Sequence, residues 1–148
     1  MSIDSACARI ESADHTAVLA KIADRARRTL VADFTQEWLL GALQTREQIA
    51  STSTPEGVAF PHAICDEFQP ANSRVIVATL AHPVQWGTHR VAIVVALFGS
   101  KAQPWRHVRT LARVARVCSQ ADVRQCLMEC ATDDDLLSLF MKECNSHE

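Results

Sequence analysis

The feature that most constrains the fold is the apolar segment Val91 to Phe98 (VAIVVALF), in which apolar and polar residues do not alternate. Such a run is typical of a central β-strand whose two faces are both covered by other elements. A second β-branched run, Val75 to Leu80, lies upstream, and Trp86-Gly87-Thr88 marks a turn between the two. Val58 to Phe60 is a shorter candidate strand that Pro61 stops. These segments predict a small central sheet.

Helical periodicity dominates the two ends of the chain. Between Thr16 and Leu30 apolar residues recur at steps of three and four, and Thr35 is a suitable N-cap for a second helix. Pro104 suits the first position of a third helix, and two capping-box patterns, at Ser119 and Thr132, predict two shorter ones. Helices that flank a small sheet predict an α/β fold. Because no repeat, low-complexity segment or linker is visible, we expect one domain over residues 1–148.

Composition and charge exclude several classes of protein. The chain has 148 residues, of which 48% are hydrophobic, so a disordered chain is excluded. The net charge is −2 and no basic stripe is present, which argues against nucleic-acid binding. No signal peptide precedes residue 10, and the longest apolar run is too short to span a bilayer. We therefore expect a soluble, cytoplasmic protein without membrane insertion.

The chain contains six cysteines. Without a secretory signal a disulfide framework is not expected, and the absence of a C-x-x-C pair or paired histidines predicts no metal site. Cys126 and Cys130 are spaced to share a helix face, and Cys118 can point the same way. We expect small buried apolar side chains. A redox or metal sensor, the alternative, requires the cysteines to cluster in space.

Two segments carry the functional signal. Residues 43–52 (LQTREQIAST) place an Arg-Glu pair before a Ser-Thr loop, and residues 57–63 (GVAFPHA) follow with a short strand and a Pro-His pair. In this order they resemble the signature of enzyme IIA domains of the fructose, mannitol and nitrogen-regulatory type, or type 2, of the bacterial phosphotransferase system. The resemblance extends from about Ala17 to Phe140. It implies the mannitol-type enzyme IIA fold, a small mixed β-sheet with helices on both faces, and no cofactor.

The resemblance implies roles for five residues. His62 is the expected phosphoryl acceptor, since imidazole offers an uncharged nucleophilic nitrogen near neutral pH. Arg46 would stabilise the charge of the phosphoryl oxygens with its planar fork. His107, at the start of the helix after the long strand, would donate a hydrogen bond to the phosphoryl group or to His62. Thr52 and Glu47 are possible supporting residues: Thr52 either donates to the phosphoryl group or caps a turn, and Glu47 is structural or orients Arg46.

The resemblance also implies partners. The phosphoryl donor would be the histidine-containing carrier HPr or its nitrogen-branch paralogue, and the recipient an enzyme IIB or a regulatory target. The absence of IIB and membrane segments favours the stand-alone nitrogen-regulatory type, and homodimer formation stays open. One stretch departs from the family: Ser51 to Gly57 keeps only the last glycine of a glycine-rich loop. A transfer-inactive interaction module of the same fold is therefore the alternative.

Overall fold

The computed structural model describes residues 1–29, 34–65 and 73–146. The predicted end of the first helix, Leu30, lies outside these residues. The described elements, in chain order, are β1 (Ser2–Ile10), α1 (His15–Thr29), α2 (Gln36–Ile49), β2 (Val58–Ala59), β3 (His62–Cys65), β4 (Arg74–Trp86), β5 (His89–Ser100), α3 (Pro104–Cys118), α4 (Ala121–Glu129) and α5 (Asp133–Asn145).

The strands form one mixed sheet in the order β1-β4-β5-β2, and β3 also pairs with β5. β4 and β5 are antiparallel, whereas β1 pairs parallel to β4 and both β2 and β3 pair parallel to β5. The predicted central strand is confirmed, because β5 has neighbours on both sides and Ile93 to Phe98 are all buried. The small mixed sheet with flanking helices is also confirmed.

Alternate side chains of the sheet enter two separate apolar clusters. Ile76 and Ala78 belong to the cluster that contains residues of α1 and α2, whereas Val75 and Val77 belong to the cluster that contains residues of α3, α4 and α5. Both faces of the sheet are therefore covered, which explains why β5 shows no polar alternation. Among the described residues, none of the helices combines the length and the apolarity that a bilayer span requires.

Two of the three predicted helix caps are confirmed. Thr35 accepts a hydrogen bond from the Trp38 amide at 3.1 Å, and Thr132 accepts one from the Asp135 amide at 3.1 Å. The prediction for Ser119 is wrong. Ser119 still has helical backbone angles as the C-cap of α3, and its hydroxyl donates to the Arg116 carbonyl, so α4 begins one residue later without a side-chain cap.

Three stretches of strand were not predicted. β1 is an edge strand of mixed sequence, and its partner in the sheet, β4, lies far along the chain. β3 begins directly after Pro61, and β4 continues through Pro83 to the hairpin turn. The β4–β5 pairing is interrupted between Thr79 and Val84, so the proline falls where no ladder hydrogen bond is required.

Candidate active site

His62 is the first residue of β3 and lies opposite Leu97 of β5. Its ring is partly exposed, and the Nδ1 atom lies 3.0 Å from the carbonyl oxygen of Phe60. A carbonyl oxygen can only accept a hydrogen bond, so Nδ1 must carry the ring hydrogen. The lone pair of the neutral ring is consequently on Nε2.

Arg46 lies in the last turn of α2 and reaches this second ring nitrogen. Its Nε–H donates to the Nε2 atom of His62 at 2.8 Å, and Nη1 donates to the carbonyl oxygen of Ala50 at 2.8 Å. The unsatisfied carbonyl at the helix end therefore holds the guanidinium beside the histidine.

His107 lies in the first turn of α3 and packs against His62. Its ring centroid lies 5.1 Å from that of His62, and the residue is only 5% exposed. Neither ring nitrogen has a hydrogen-bond partner among the described residues. The close packing includes Gly99 of β5, where an added Cβ would lie 3.2 Å from the Nδ1 atom of His107. A buried, unpaired polar side chain aimed at His62 is the kind of group that a ligand satisfies.

Both histidines are uncharged at neutral pH. Burial, followed by the charges of His62 and Arg46, lowers the pKa of His107 to about 4. The pKa of His62 is also lowered, chiefly by burial and then by Arg46, while the Phe60 carbonyl and Glu47 oppose this shift. The Nε2 lone pair of His62 is therefore available over the physiological pH range.

Glu47 and Thr52 lie together, next to this cluster. The Glu47 carboxylate accepts hydrogen bonds from the Thr52 amide at 2.7 Å, from the Thr52 hydroxyl at 2.9 Å and from the Trp86 indole at 2.8 Å. The hydroxyl hydrogen of Thr52 is thus directed at Glu47, and the described hydrogen bonds of Glu47 go to the loop and the indole. From the sequence, Trp86 was predicted only as part of a turn. The one feature that points to its contact with Glu47 is that a buried indole N–H requires an acceptor.

The loop from Ser51 to Gly57 is organised by side-chain hydrogen bonds. Ser53 donates its hydroxyl to the Trp86 carbonyl at 2.6 Å, and the Thr54 hydroxyl bonds to the backbone of Val58. Gly57, the one retained glycine, has φ +89°, which a side chain would strain. Hydroxyl-to-backbone hydrogen bonds therefore hold the loop in place.

An open groove of about 760 Å³ leads to His62 and Arg46. It lies between α2 and β3, and its large apolar groups are partly or fully exposed, with Trp38 at 39% and Ile49 at 77%. Further lining residues are Ala42, Thr45, Ala63 and Ile64. The groove brings an apolar surface beside His62.

The described cysteines are free thiols. Cys7, Cys118 and Cys144 are buried, as predicted, whereas Cys126 is exposed. Burial raises the pKa of Cys118 to about 12 and that of Cys144 to about 11, which leaves both protonated and unreactive. The side chain of Cys65 lies outside the described set. Within the parts of the chain that the structure describes, no three His, Cys, Asp or Glu residues converge as a metal site.

Comparison with known proteins places the chain among its relatives. Residues 3–143 match the family described as "Phosphoenolpyruvate-dependent sugar phosphotransferase system, EIIA 2". The chain is 30% identical over 102 residues to multiphosphoryl transfer protein 2 of Escherichia coli (strain K12), and 30% identical over 113 residues to a multiphosphoryl transfer protein of Escherichia coli O157:H7. These matches cover 68% and 76% of this chain but only 12% and 30% of the relatives.

Solved structures share the fold at low identity. Nitrogen regulatory protein IIA-Ntr from Neisseria meningitidis superposes with a TM-score of 0.80 at 17% identity, covering 91% of each chain. IIA mannitol from Escherichia coli gives a TM-score of 0.74 at 15% identity, covering 91% of this chain and 94% of that one. IIAMTL in its complex with phosphorylated IIBMTL, also from Escherichia coli, gives 0.72 at 13% identity, covering 93% and 94%. The chain belongs to the type-2 enzyme IIA family of the phosphoenolpyruvate-dependent sugar phosphotransferase system and has the mannitol-type enzyme IIA fold.

Proposed function

We propose that this chain is a phosphohistidine carrier that accepts a phosphoryl group on the Nε2 atom of His62. The observation that carries the proposal is the hydrogen bond from Nδ1–H to the Phe60 carbonyl, because it leaves the lone pair on the nitrogen that faces Arg46. A neutral imidazole with its lone pair on an accessible nitrogen is the nucleophile that phosphoryl transfer requires.

The transfer step requires no acid or base to act on the attacking nitrogen. The Nε2 lone pair of His62 forms the new bond to phosphorus, and the P–N bond of the donor phosphohistidine breaks, with its electron pair returning to the donor ring. The Nδ1 hydrogen stays on His62, where the Phe60 carbonyl stabilises the positive charge that the phosphorylated ring acquires.

Arg46 and His107 are the proposed phosphoryl contacts. The Arg46 guanidinium would move its hydrogen bond from Nε2 to the incoming phosphoryl oxygens, which its planar donors can hold in pairs. His107 is neutral and buried without a partner, so a hydrogen on either ring nitrogen is available for another phosphoryl oxygen. Glu47 and Thr52 support the loop behind the site.

The proposed partners are phosphocarrier proteins and regulatory targets. An HPr-type carrier or its nitrogen-branch paralogue would donate the phosphoryl group. An enzyme IIB is one proposed recipient, by analogy with Escherichia coli IIAMTL, whose structure in complex with phosphorylated IIBMTL has the same fold. Regulatory targets that distinguish the two phosphorylation states are the other. The groove beside His62 supports docking of a partner, because it offers apolar surface next to the reacting histidine.

A transfer-inactive interaction module is the second candidate. It is favoured by the loop from Ser51 to Gly57, in which Pro55 lacks an amide donor and Glu56 adds a negative charge. In this case the chain would bind partners through the same groove without accepting phosphate.

Incubation with enzyme I, an HPr-type carrier and phosphoenolpyruvate separates the two candidates. We expect an acid-labile mass gain of one phosphoryl group in the wild type and in His82→Ala, which changes an exposed histidine away from the site. We expect no gain in His62→Ala. If the wild type gains no mass with either an HPr or a nitrogen-branch carrier, the carrier proposal is wrong and the interaction module is favoured.

A further inference from the structure

A continuous series of hydrogen bonds connects a buried tryptophan to the ring of His62. The Trp86 indole donates to the Oε1 atom of Glu47 at 2.8 Å, and the Thr52 amide donates to the same oxygen at 2.7 Å. The Thr52 carbonyl accepts from the Phe60 amide at 3.2 Å. The Phe60 carbonyl then accepts from the Nδ1 atom of His62 at 3.0 Å.

The far end of this series is fixed by the fold. Trp86 is fully buried at the end of β4, paired with His89 across the hairpin, and its ring packs 5.5 Å from the ring of His15. A buried indole N–H without an acceptor would destabilise the folded protein, and the Glu47 carboxylate supplies that acceptor. The carboxylate oxygen is therefore held in place from a rigid part of the sheet.

The near end controls one of the two ring nitrogens of His62. Arg46 and Glu47 are neighbours in the last turn of α2, and Arg46 contacts Nε2 directly. Glu47 acts on Nδ1 indirectly, through the backbone of two residues. It accepts from the Thr52 amide, the Thr52 carbonyl accepts from the Phe60 amide, and the Phe60 carbonyl accepts the ring hydrogen. One helix turn thus acts on both nitrogens of the ring.

We propose that Glu47 and Trp86 are positioning residues that set the tautomer and the ring orientation of His62 through the backbone of Thr52 and Phe60. The importance of this role for transfer rests on the function proposed above. When the carbonyl of Phe60 is misaligned, the hydrogen shifts in part to Nε2, and a protonated Nε2 has no lone pair with which to attack phosphorus.

The tautomer of His62 can be measured in the unphosphorylated full-length protein. With ¹⁵N-labelled histidine, two-bond ¹H–¹⁵N spectra distinguish the Nδ1–H form from the Nε2–H form, and the signals of His62 are identified by their loss in His62→Ala. We expect the wild type to show the Nδ1–H form. Trp86→Phe, which keeps an aromatic ring but removes the N–H, and Glu47→Ala should show a mixture of the two forms.

Two further variants make the test specific. Glu47→Gln keeps one oxygen acceptor and should restore most of the Nδ1–H form relative to Glu47→Ala. Glu129→Gln changes an exposed carboxylate that also accepts a side-chain N–H, from Gln125, and should leave His62 unchanged. The deciding variant is Trp86→Phe, with Glu47→Gln as the second folded variant. If both fold and Trp86→Phe keeps the wild-type tautomer, the proposal is wrong. This conclusion does not depend on whether Glu47→Ala folds.

The rate of phosphoryl uptake provides the second readout. At saturating carrier we expect Trp86→Phe to reduce the maximal rate by about tenfold or more, with the half-saturating carrier concentration unchanged, since only the geometry of the nucleophile is altered. A shifted tautomer with an unchanged maximal rate would contradict the positioning role. If the wild type accepts no phosphoryl group at all, the proposed function fails, but the spectra still decide whether Glu47 and Trp86 set the tautomer.

Discussion

At the residue scale, the two nitrogens of His62 have different partners, a carbonyl oxygen on Nδ1 and a guanidinium N–H on Nε2. His107 adds a third group that is buried without any described partner. Leaving a polar group unpaired in this way costs about 1–3 kcal/mol. A phosphoryl oxygen between the two rings would remove that cost, so the unphosphorylated site is less stable than it would be with its ligand bound.

His107 should make the protein less stable in mild acid. Its pKa in the folded chain is about 4, below the value of 6.5 expected when it is exposed. As the pH falls from about 6.5 to 4, the unfolded chain binds a proton that the folded chain does not, so the free energy of unfolding decreases. Urea unfolding of the wild type at pH 7 and pH 4.5 should show a larger decrease than that of His107→Gln. The lowered pKa of His62 decreases the stability of both proteins in the same direction. An equal decrease in the free energy of unfolding of the two proteins would therefore contradict the lowered pKa of His107.

Arg46 should contribute both charge and geometry to the transfer step. Arg46→Ala is expected to slow phosphoryl uptake by about 10²–10³-fold, as is typical when one preorganised donor to a transition-state oxygen is lost. Arg46→Lys keeps the positive charge but loses the planar pair of donors, so its rate of phosphoryl uptake should lie between those of the wild type and Arg46→Ala. Single-turnover mass spectrometry would measure these rates.

Arg46 also has an effect that does not depend on transfer. Because its positive charge lowers the pKa of His62, that pKa should rise in Arg46→Ala. Arg116→Ala, at an exposed position in the last turn of α3, serves as the control for loss of a surface charge. A wild-type rate in Arg46→Ala would show that the guanidinium has no part in transfer.

At the element scale, the loop after α2 and the β4–β5 hairpin turn are folded against each other. Ser53 bonds to the Trp86 carbonyl and lies 3.1 Å from His89, so the turn supports the loop that borders the site. Gly87 makes this approach possible: its φ is +63°, and a Cβ there would lie 2.5 Å from the hydroxyl oxygen of Ser51. Contacts between these two elements therefore fix the conformation of the loop.

Gly87→Ala should destabilise the protein by about 1–3 kcal/mol, from the positive φ and the contact with Ser51 together. Ser51→Gly removes the two Ser51 side-chain atoms that the new Cβ would approach within 3.0 Å. The double variant should therefore recover the steric part but not the backbone part. Urea unfolding of the four proteins in a double-mutant cycle would measure the coupling. Additivity within about 0.5 kcal/mol would contradict this packing.

Gly41 offers the matched control for a glycine-to-alanine change. It lies inside α2, and nothing lies within 4 Å of the position that a Cβ would occupy. Gly41→Ala should stabilise the protein by about 0.5–1 kcal/mol, because alanine has the higher helix propensity. Stabilisation at position 41 and destabilisation at position 87 would assign the difference to the hairpin contact.

At the scale of the whole molecule, local sequence pattern predicted those parts that the core determines. β5 was predictable because both of its faces are buried. The candidate site residues His62, Arg46 and His107 came from the resemblance to the family, and the structure brings the three side chains together. The edge strand β1 was not predictable, because its parallel pairing with β4 joins residues that are distant in the sequence. The bond between Trp86 and Glu47 spans 39 positions and leaves no local pattern.

Phosphorylation of His62 is tested most directly by locating the modified atom. The wild-type chain, phosphorylated through enzyme I and an HPr-type carrier, would be fragmented by electron transfer, which retains labile phosphoryl groups. In a separate sample with ¹⁵N-labelled histidine, the ¹⁵N–³¹P coupling measured by NMR would identify the phosphorylated nitrogen. The expected result is a single phosphoryl group on the Nε2 atom of His62. A phosphoryl group on any other residue, or on Nδ1 of His62, would contradict the tautomer and the site described above.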